Sequence, residues 1–524
     1  MTSFYGEYRD KNIISDEEEN RVSRANVDKW IFRLFLVLIG FMPLIVLGHV
    51  EEVVSPVITD NSLMASGIKG DLFTHYKSIT ILTITIIIVL LFVFKTLYMN
   101  GTLKKTKLNY ILGVFVIAII VSTIFSPNIT IALDGQYNRS DGGIMWLCYI
   151  ALMFVAMNIN YPQKAVNYVI FSLMPFIYIN LYIITMNFYG NDLMQNQWMQ
   201  NLVSIFLQDD AKIGESSQIV GTLNQWNYMS GMFAIMTVIF LTWAIIETSW
   251  VRSIIGLLTA LVSLGITLMS ISTSGFLTIL VMLILLIWMT FKVDKKGKGT
   301  IIVVLFLVLS APILHVLSKE NSNVWVQSIG YLTQNNPYEK EQPVSSVSFK
   351  KVDLHFTLMN KVYAADNSFV LPVLPDRSLS AGSGRIYIWD KTIDLIKKRP
   401  ALGYGLDSLM YNFPHFSIDA RAGMADENVI VDKPHNTYIG ILYGTGVIGF
   451  IGLIGVLFAV GITILKNLIG KVQLQYYVFA FASLAYFIQS MFNDSLQGIS
   501  AVIWIFIGIM FAMNLYETDK KEIN

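Results

Sequence analysis

The chain has 524 residues, 54% of them hydrophobic and only 14% charged, with a formal net charge of +1. Its mean hydropathy of +0.57 lies above the usual globular range, and the near-neutral balance argues against nucleic acid as a partner. The lone cysteine, Cys148, sits inside an apolar stretch, which rules out an internal disulfide and fits a small buried hydrophobe.

Residues 1–29 mix acidic and basic side chains (Asp16-Glu17-Glu18-Glu19, Arg21, Arg24, Lys29) and read as a solvated, flexible tail with no cleavable signal peptide. Apolar runs then centre on 31–50, 78–98, 108–126, 143–158, 166–187, 227–247, 252–271, 275–292, 300–317, 437–463, 474–490 and 498–515. Runs of about twenty residues are long enough to cross roughly 30 Å of hydrocarbon as helices. Helices and closed barrels alone satisfy backbone groups in lipid, and these runs lack the alternation of barrel strands. The expected fold is an all-α integral membrane protein of about twelve transmembrane helices. Nine spans lie in 30–317 and three in 437–515, with a large loop over 318–436 and a short tail over 516–524.

Orientation follows from basic residues in the short connections. One set of loops holds Lys104, Lys105, Lys107, Lys164, Arg252, Lys292, Lys295, Lys296, Lys298, Lys466 and Lys471, whereas the opposite set holds only Lys69, Lys77 and Arg139. Both termini are therefore expected in the cytoplasm and the large loop outside. Two more outer segments are polar: 133–143, with Arg139, and about 188–226, whose middle (Trp198 to Leu207) is apolar enough to lie on the membrane surface as a helix.

Within the large loop, residues 318–380 show no firm period. From Ser383, a plausible N-cap, the text turns helical: Ile386, Trp389, Ile393 and Ile396 recur at helical spacing, basic residues fill the last turn, and Pro400 and Gly403 end it. An amphipathic helix is expected over 384–399.

The string Gly384-Arg385, Trp389, Pro400, Gly403-x-Gly405, then His435-Asn436, nine residues, and Gly446-x-x-Gly449 resembles the O-antigen ligase and polymerase superfamily. Upstream, Gly135–Gly142 with Arg139 is similar to a short outer loop of that family, and Gly221-Thr222-Leu223-Asn224-Gln225-Trp226-Asn227 to its Gly-Thr-x-x-Asn-x-Asn element. The resemblance implies a GT-C-like membrane glycosyltransferase that moves glycan from undecaprenyl pyrophosphate to an acceptor outside the bacterial cytoplasmic membrane. It departs at one place: the family's Ser-Arg-Gly at the start of a middle span corresponds here to Thr273-Ser274-Gly275, and Arg139 is the first candidate to replace that arginine.

Chemistry gives these residue types their roles. A guanidinium meets the charge of a departing pyrophosphate through two parallel hydrogen bonds, which points to Arg385. A neutral imidazole accepts the proton of an attacking sugar hydroxyl near pH 7, which points to His435. Arg139, Asn436, Asn224 and Trp389 are expected to bind substrate, with Asn436 also helping to hold the local geometry. No His-x-x-x-His or carboxylate pair adjoins His435 at ligand spacing, and Glu427 with Asp432 reads as a solvated turn, so neither metal nor cofactor is expected. His355 and His415 read as solvated loop residues, and Gly444, Gly446 and Gly449 as sites of close helix packing. Expected partners are the lipid-linked donor, a glycan acceptor and membrane lipids, with a chain-length regulator and a flippase alongside. A ligase, a twelve-span transporter or flippase, and a structural or sensor protein are the competing readings. Against transport, no internal repeat is evident and the polar residues cluster in loops.

Overall fold

The structure, a computed structural model, describes residues 2–207, 220–339, 384–418, 423–424, 429–470 and 472–523, with side chains described between 17 and 514. Among the described residues the regular structure is helical apart from one small antiparallel sheet, β1 (His49–Val53) with β2 (Gly67–Asp71). The longer helices in chain order are α1 (Thr2–Gly40), α2 (His75–Tyr98), α3 (Lys107–Ile124), α4 (Gly143–Met157), α5 (Ala165–Phe188), α6 (Trp226–Ile246), α7 (Trp250–Met269), α8 (Thr273–Thr290) and α9 (Lys296–Glu320). Later in the chain come α10 (Arg385–Lys398), α11 (Thr437–Ile469), α12 (Tyr476–Gln489) and α13 (Gln497–Ile523).

Among the described residues, nine helices are long and apolar enough to cross a membrane: α2, α3, α5, α6, α7, α8, α9, α11 and the first part of α13. The runs at 143–158 and 474–490 give the shorter apolar helices α4 and α12. The first run differs from expectation. Its apolar residues end α1 at Gly40, and Pro43 then turns the chain through a 3-10 segment toward β1. The segment expected as a flexible tail is helical throughout and continuous with that run. It is supported by the Glu18–Arg21 pair one turn apart, and by Asp28, buried against Lys95 of α2 at 2.6 Å.

Helices α6 and α13 form the centre: 94% and 89% of their apolar windows are buried, against 22% for α9. Outward-facing stripes such as Leu90, Ile284, Val308 and Phe458 remain exposed. A continuous apolar exterior of this kind is stable in hydrocarbon and not in water. The segment expected to lie on the surface forms a short helix, Gln197–Val203, with Trp198 and Leu202 exposed.

Helix α11 is broken at Gly446, which has φ 64° and ψ −169°. The break lets a second backbone in. Tyr404 and Gly405 donate to the Tyr443 and Gly444 carbonyls at 3.0 and 2.8 Å, and Val447 donates to Pro400 at 2.8 Å. A Cβ on Gly446 would stand 2.2 Å from the Ala401 carbonyl oxygen, and one on Gly403 would stand 2.4 Å from that of Tyr443. The glycines thus serve backbone-on-backbone packing, and that packing docks α10 and its following turn onto α11. The buried face of α10 is Ile388, Thr392 and Ile396, while Ile386 and Ile393 are exposed. The apolar spacing in the sequence therefore identified the helix but not its buried face. Ser383 and His355 lie outside the described residues; the residue preceding α10 is Gly384, in the left-handed region at φ 84°.

Candidate active site

At one end of the bundle the start of α11 meets the turn between α12 and α13. Asn436 caps α11, its side-chain oxygen accepting from the Tyr438 and Ile439 N–H groups at 3.0 and 3.1 Å. The next donor, Thr437 N–H, is taken by the carbonyls of Ser490 and Asn493. Asp494, nearly fully buried, accepts from the Asn436 N–H at 3.2 Å through one oxygen and from His435 Nδ1 at 2.9 Å through the other. Trp389 of α10 donates its indole N–H to the Pro434 carbonyl at 2.7 Å. Three separate elements therefore hold His435.

The bond to Asp494 assigns the neutral ring's proton to Nδ1 and leaves Nε2 as the free acceptor, on a side chain 29% exposed. Burial works against the charged ring, but the hydrogen bond and charge of Asp494, with Asp432 adding, raise its pKa above the ordinary 6.5. Arg385, half-buried at the start of α10, makes no ion pair or hydrogen bond among the described residues. Burial lowers its pKa, Asp494 works the other way, and its charge is felt at His435. A desolvated, unpaired guanidinium has a strong demand for an anion.

Beneath this lies a buried charge network. Arg139 Nε donates to Asp432 at 2.9 Å and Nη2 is also bonded to it. Burial opposes ionisation, yet Arg139, His435 and Lys433 hold the Asp432 carboxyl down at about 2. Lys433 sits between Asp141 and Asp407, 3.2 Å from each. Burial pushes the Asp407 carboxyl up to about 6, with Lys433 opposing. A cavity of about 40 Å³, lined in part by Asp141, Asp407, Asp432, Lys433, Asp494 and Ser495, opens among these groups.

Asn138, Ser140, Asp407 and His435 all have positive φ, at 61°, 46°, 60° and 52°. Four strained non-glycine residues converging on one network mark it as a place where surrounding structure maintains an unfavourable backbone.

Five of the six residues singled out in the sequence are linked here by hydrogen bonds, and Arg385, four residues before Trp389, acts on His435 through its charge alone among the described residues. Asn224 donates to the Asn138 carbonyl at 3.0 Å, next to Arg139; Arg139 binds Asp432; and Trp389 holds Pro434, before His435 and Asn436. The partners were missed. Asp432, 22% exposed, is the ion-pair partner of buried Arg139 and not part of a solvated turn; Glu427 is outside the described residues. Asp141, Asp407, Lys433 and Asp494 received no role at all. Asp494 had a visible signal: Asn493-Asp494-Ser495 interrupts two apolar runs at the membrane face where His435 was expected. His415 is buried, with Nε2 3.0 Å from the Met410 carbonyl, not solvated.

The position of the absent arginine is near this site. The Ser274 carbonyl accepts from Gln489 at 2.7 Å, and Gln489 accepts from Asn493 at 2.7 Å, one residue before Asp494.

Residues 257–454 match the family model described as O-antigen ligase. The match covers α10, the His435–Asn436 cap and the break in α11; Arg139, Asn224 and Asp494 lie outside it. No curated protein matches the chain.

Proposed function

Because residues 257–454 match the family model described as O-antigen ligase, we propose that the chain is a bacterial polysaccharide polymerase of that superfamily. In this reading it joins undecaprenyl-pyrophosphate-linked repeat units by inverting, metal-independent glycosyl transfer. The reaction takes place at the outer face of the cytoplasmic membrane, with both chain termini inside. The observation that carries the reading is an aspartate-held His435 whose Nε2 has no partner among the described residues, within the electrostatic reach of an Arg385 guanidinium likewise unpaired among them. Both stand at the polar end of an apolar helical bundle.

The acceptor hydroxyl oxygen attacks the anomeric carbon while His435 Nε2 takes its proton. The bond from that carbon to the donor's pyrophosphate oxygen breaks, and the lipid pyrophosphate leaves with the electron pair. Arg385 meets the charge developing there. Asp494 fixes the tautomer and stabilises the imidazolium, as a buried carboxylate does for a histidine base. Arg139, already neutralised by Asp432, acts by holding the loop and the 432–436 segment, and Asn224, Trp389 and Asn436 act likewise. Among the described residues near His435, Arg385 is the cation left for the donor.

A ligase that moves finished glycan to a lipid, protein or wall acceptor shares this chemistry and is favoured by the family's description. Deleting the gene and resolving surface and lipid-linked glycans on gels separates the two. Accumulated single repeats support the polymerase; long unattached chains on the lipid support the ligase. With purified enzyme in nanodiscs and lipid-linked donor, His435→Ala is expected to lose about 10²–10⁴-fold in rate. Full activity of that variant would move the base elsewhere.

A further inference from the structure

We infer that His49, Glu51 and His75 form a divalent-metal site of the zinc class on the β1–β2 hairpin. Residues 49 and 51 are two apart on a strand and so share a face. Pairing sets His49 opposite Asp71 and Glu51 opposite Lys69. The Asp71 carboxylate then accepts the backbone N–H groups of Phe73, Thr74 and His75 at 2.8, 3.0 and 2.7 Å, turning the chain into α2. That turn lays the His75 ring on the His49 ring, with centroids 3.3 Å apart and planes 11° apart. His49 Nε2 is 3.8 Å from Glu51 Oε2, and one donor atom from each of the three residues falls within 4.8 Å of the others. Among the described residues this is the one group of ligand-type side chains so gathered.

Two imidazoles and a carboxylate are a zinc donor set that leaves a fourth position for water or a ligand oxygen. Bonds of about 2.0–2.2 Å in tetrahedral geometry place donors roughly 3.3 Å apart, so the two rings, stacked here with parallel in-plane lone pairs, close the site by swinging out of the stack to aim at one ion. The three side chains are half-buried and reachable by an ion. The alternative partner for Glu51, Lys69 across the strand, bonds instead to the Ser62 carbonyl. The ion's role is to clip β1 to the start of α2. The clip lies beside the site loop: Thr74 Oγ1 stands 3.2 Å from Ser140 Oγ, one residue from Arg139.

The test uses the full chain, purified in detergent without a histidine tag, stripped with chelator and given Zn²⁺ alone. After gel filtration the wild type and His435→Ala are expected to retain one equivalent. The double variant His49→Gln/His75→Gln is expected to bind at least about tenfold more weakly. Zn²⁺ should also raise the melting temperature of the wild type and not that of the double variant. Glu51→Gln, which leaves both rings in place, gives an intermediate affinity and guards against a misfolded double variant. Equal retention by wild type and double variant, or no retention by the wild type, overturns the site. Bound metal is the readout, so failure here leaves the glycan-transfer reading untouched.

Discussion

The pairing of His435 with Asp494 carries a pH signature. A base must be neutral, so in the proposed role of His435 its raised pKa makes transfer rise with pH through a value above 6.5. Asp494→Asn removes the charge that holds the proton, so the limb should move to lower pH while the plateau falls about 10²-fold or more. A pH–rate profile of both proteins checks this; an unmoved limb would separate Asp494 from His435. The same groups bear on stability with opposite signs. His435, raised, contributes stability that is complete below 6.5 and lost as pH rises through its folded pKa. Asp432, lowered, contributes stability that is complete above 3.8 and lost as pH falls toward about 2. Arg385→Lys should cost transfer clearly, because an ammonium cannot make the planar two-bonded contact; wild-type transfer by a folded Arg385→Ala would end its assignment. Arg139 behaves differently. Arg139→Ala strands a buried carboxylate and should cost about 3–5 kcal/mol, most of it recovered in the double variant Arg139→Met/Asp432→Leu. Melting curves of the three proteins decide whether the pair is mainly structural.

At the level of elements, the interrupted α11 is the part that positions chemistry. Its break admits the 400–405 backbone, which brings α10 onto α11 and Trp389 within reach of Pro434. Gly446→Ala places a side chain at φ 64° and 2.2 Å from the Ala401 oxygen, so a loss of at least about 1–3 kcal/mol is expected. Gly461→Ala, which meets nothing within 4 Å, should be neutral or slightly stabilising. Equal melting temperatures for the two would show that the docking is dispensable. Trp389→Phe keeps the ring and removes one hydrogen bond, worth about 1 kcal/mol. It should lower kcat several-fold with little loss of folded protein.

For the whole molecule, the apolar exterior and the central α6 and α13 describe a body built to sit in lipid. Its orientation is testable without disturbing that body. A cysteine at exposed Asn335, which follows α9, should react with an impermeant thiol reagent on intact cells. One at exposed Lys296, at the other end of α9, should react only after lysis. The reverse pattern would invert the proposed membrane sidedness.

Hydropathy in the sequence determined the apolar runs and hence the helical membrane body, because a run of about twenty apolar residues has few other stable fates. The resemblance of its motifs to those of a known family singled out Arg385, Trp389, His435 and Asn436, and the glycines and N-cap around them are local requirements that a sequence can show. The partners were decided by tertiary structure alone. Asp494 lies 59 residues from His435, and Asp432 lies 293 from Arg139. No period or spacing encodes which buried charges meet when five segments close over one end of a bundle. The helical continuation of α1 through its charged residues and the inward face of α10 were equally hidden. Each depends on what the segment packs against, and a side chain's burial is a property of its neighbours.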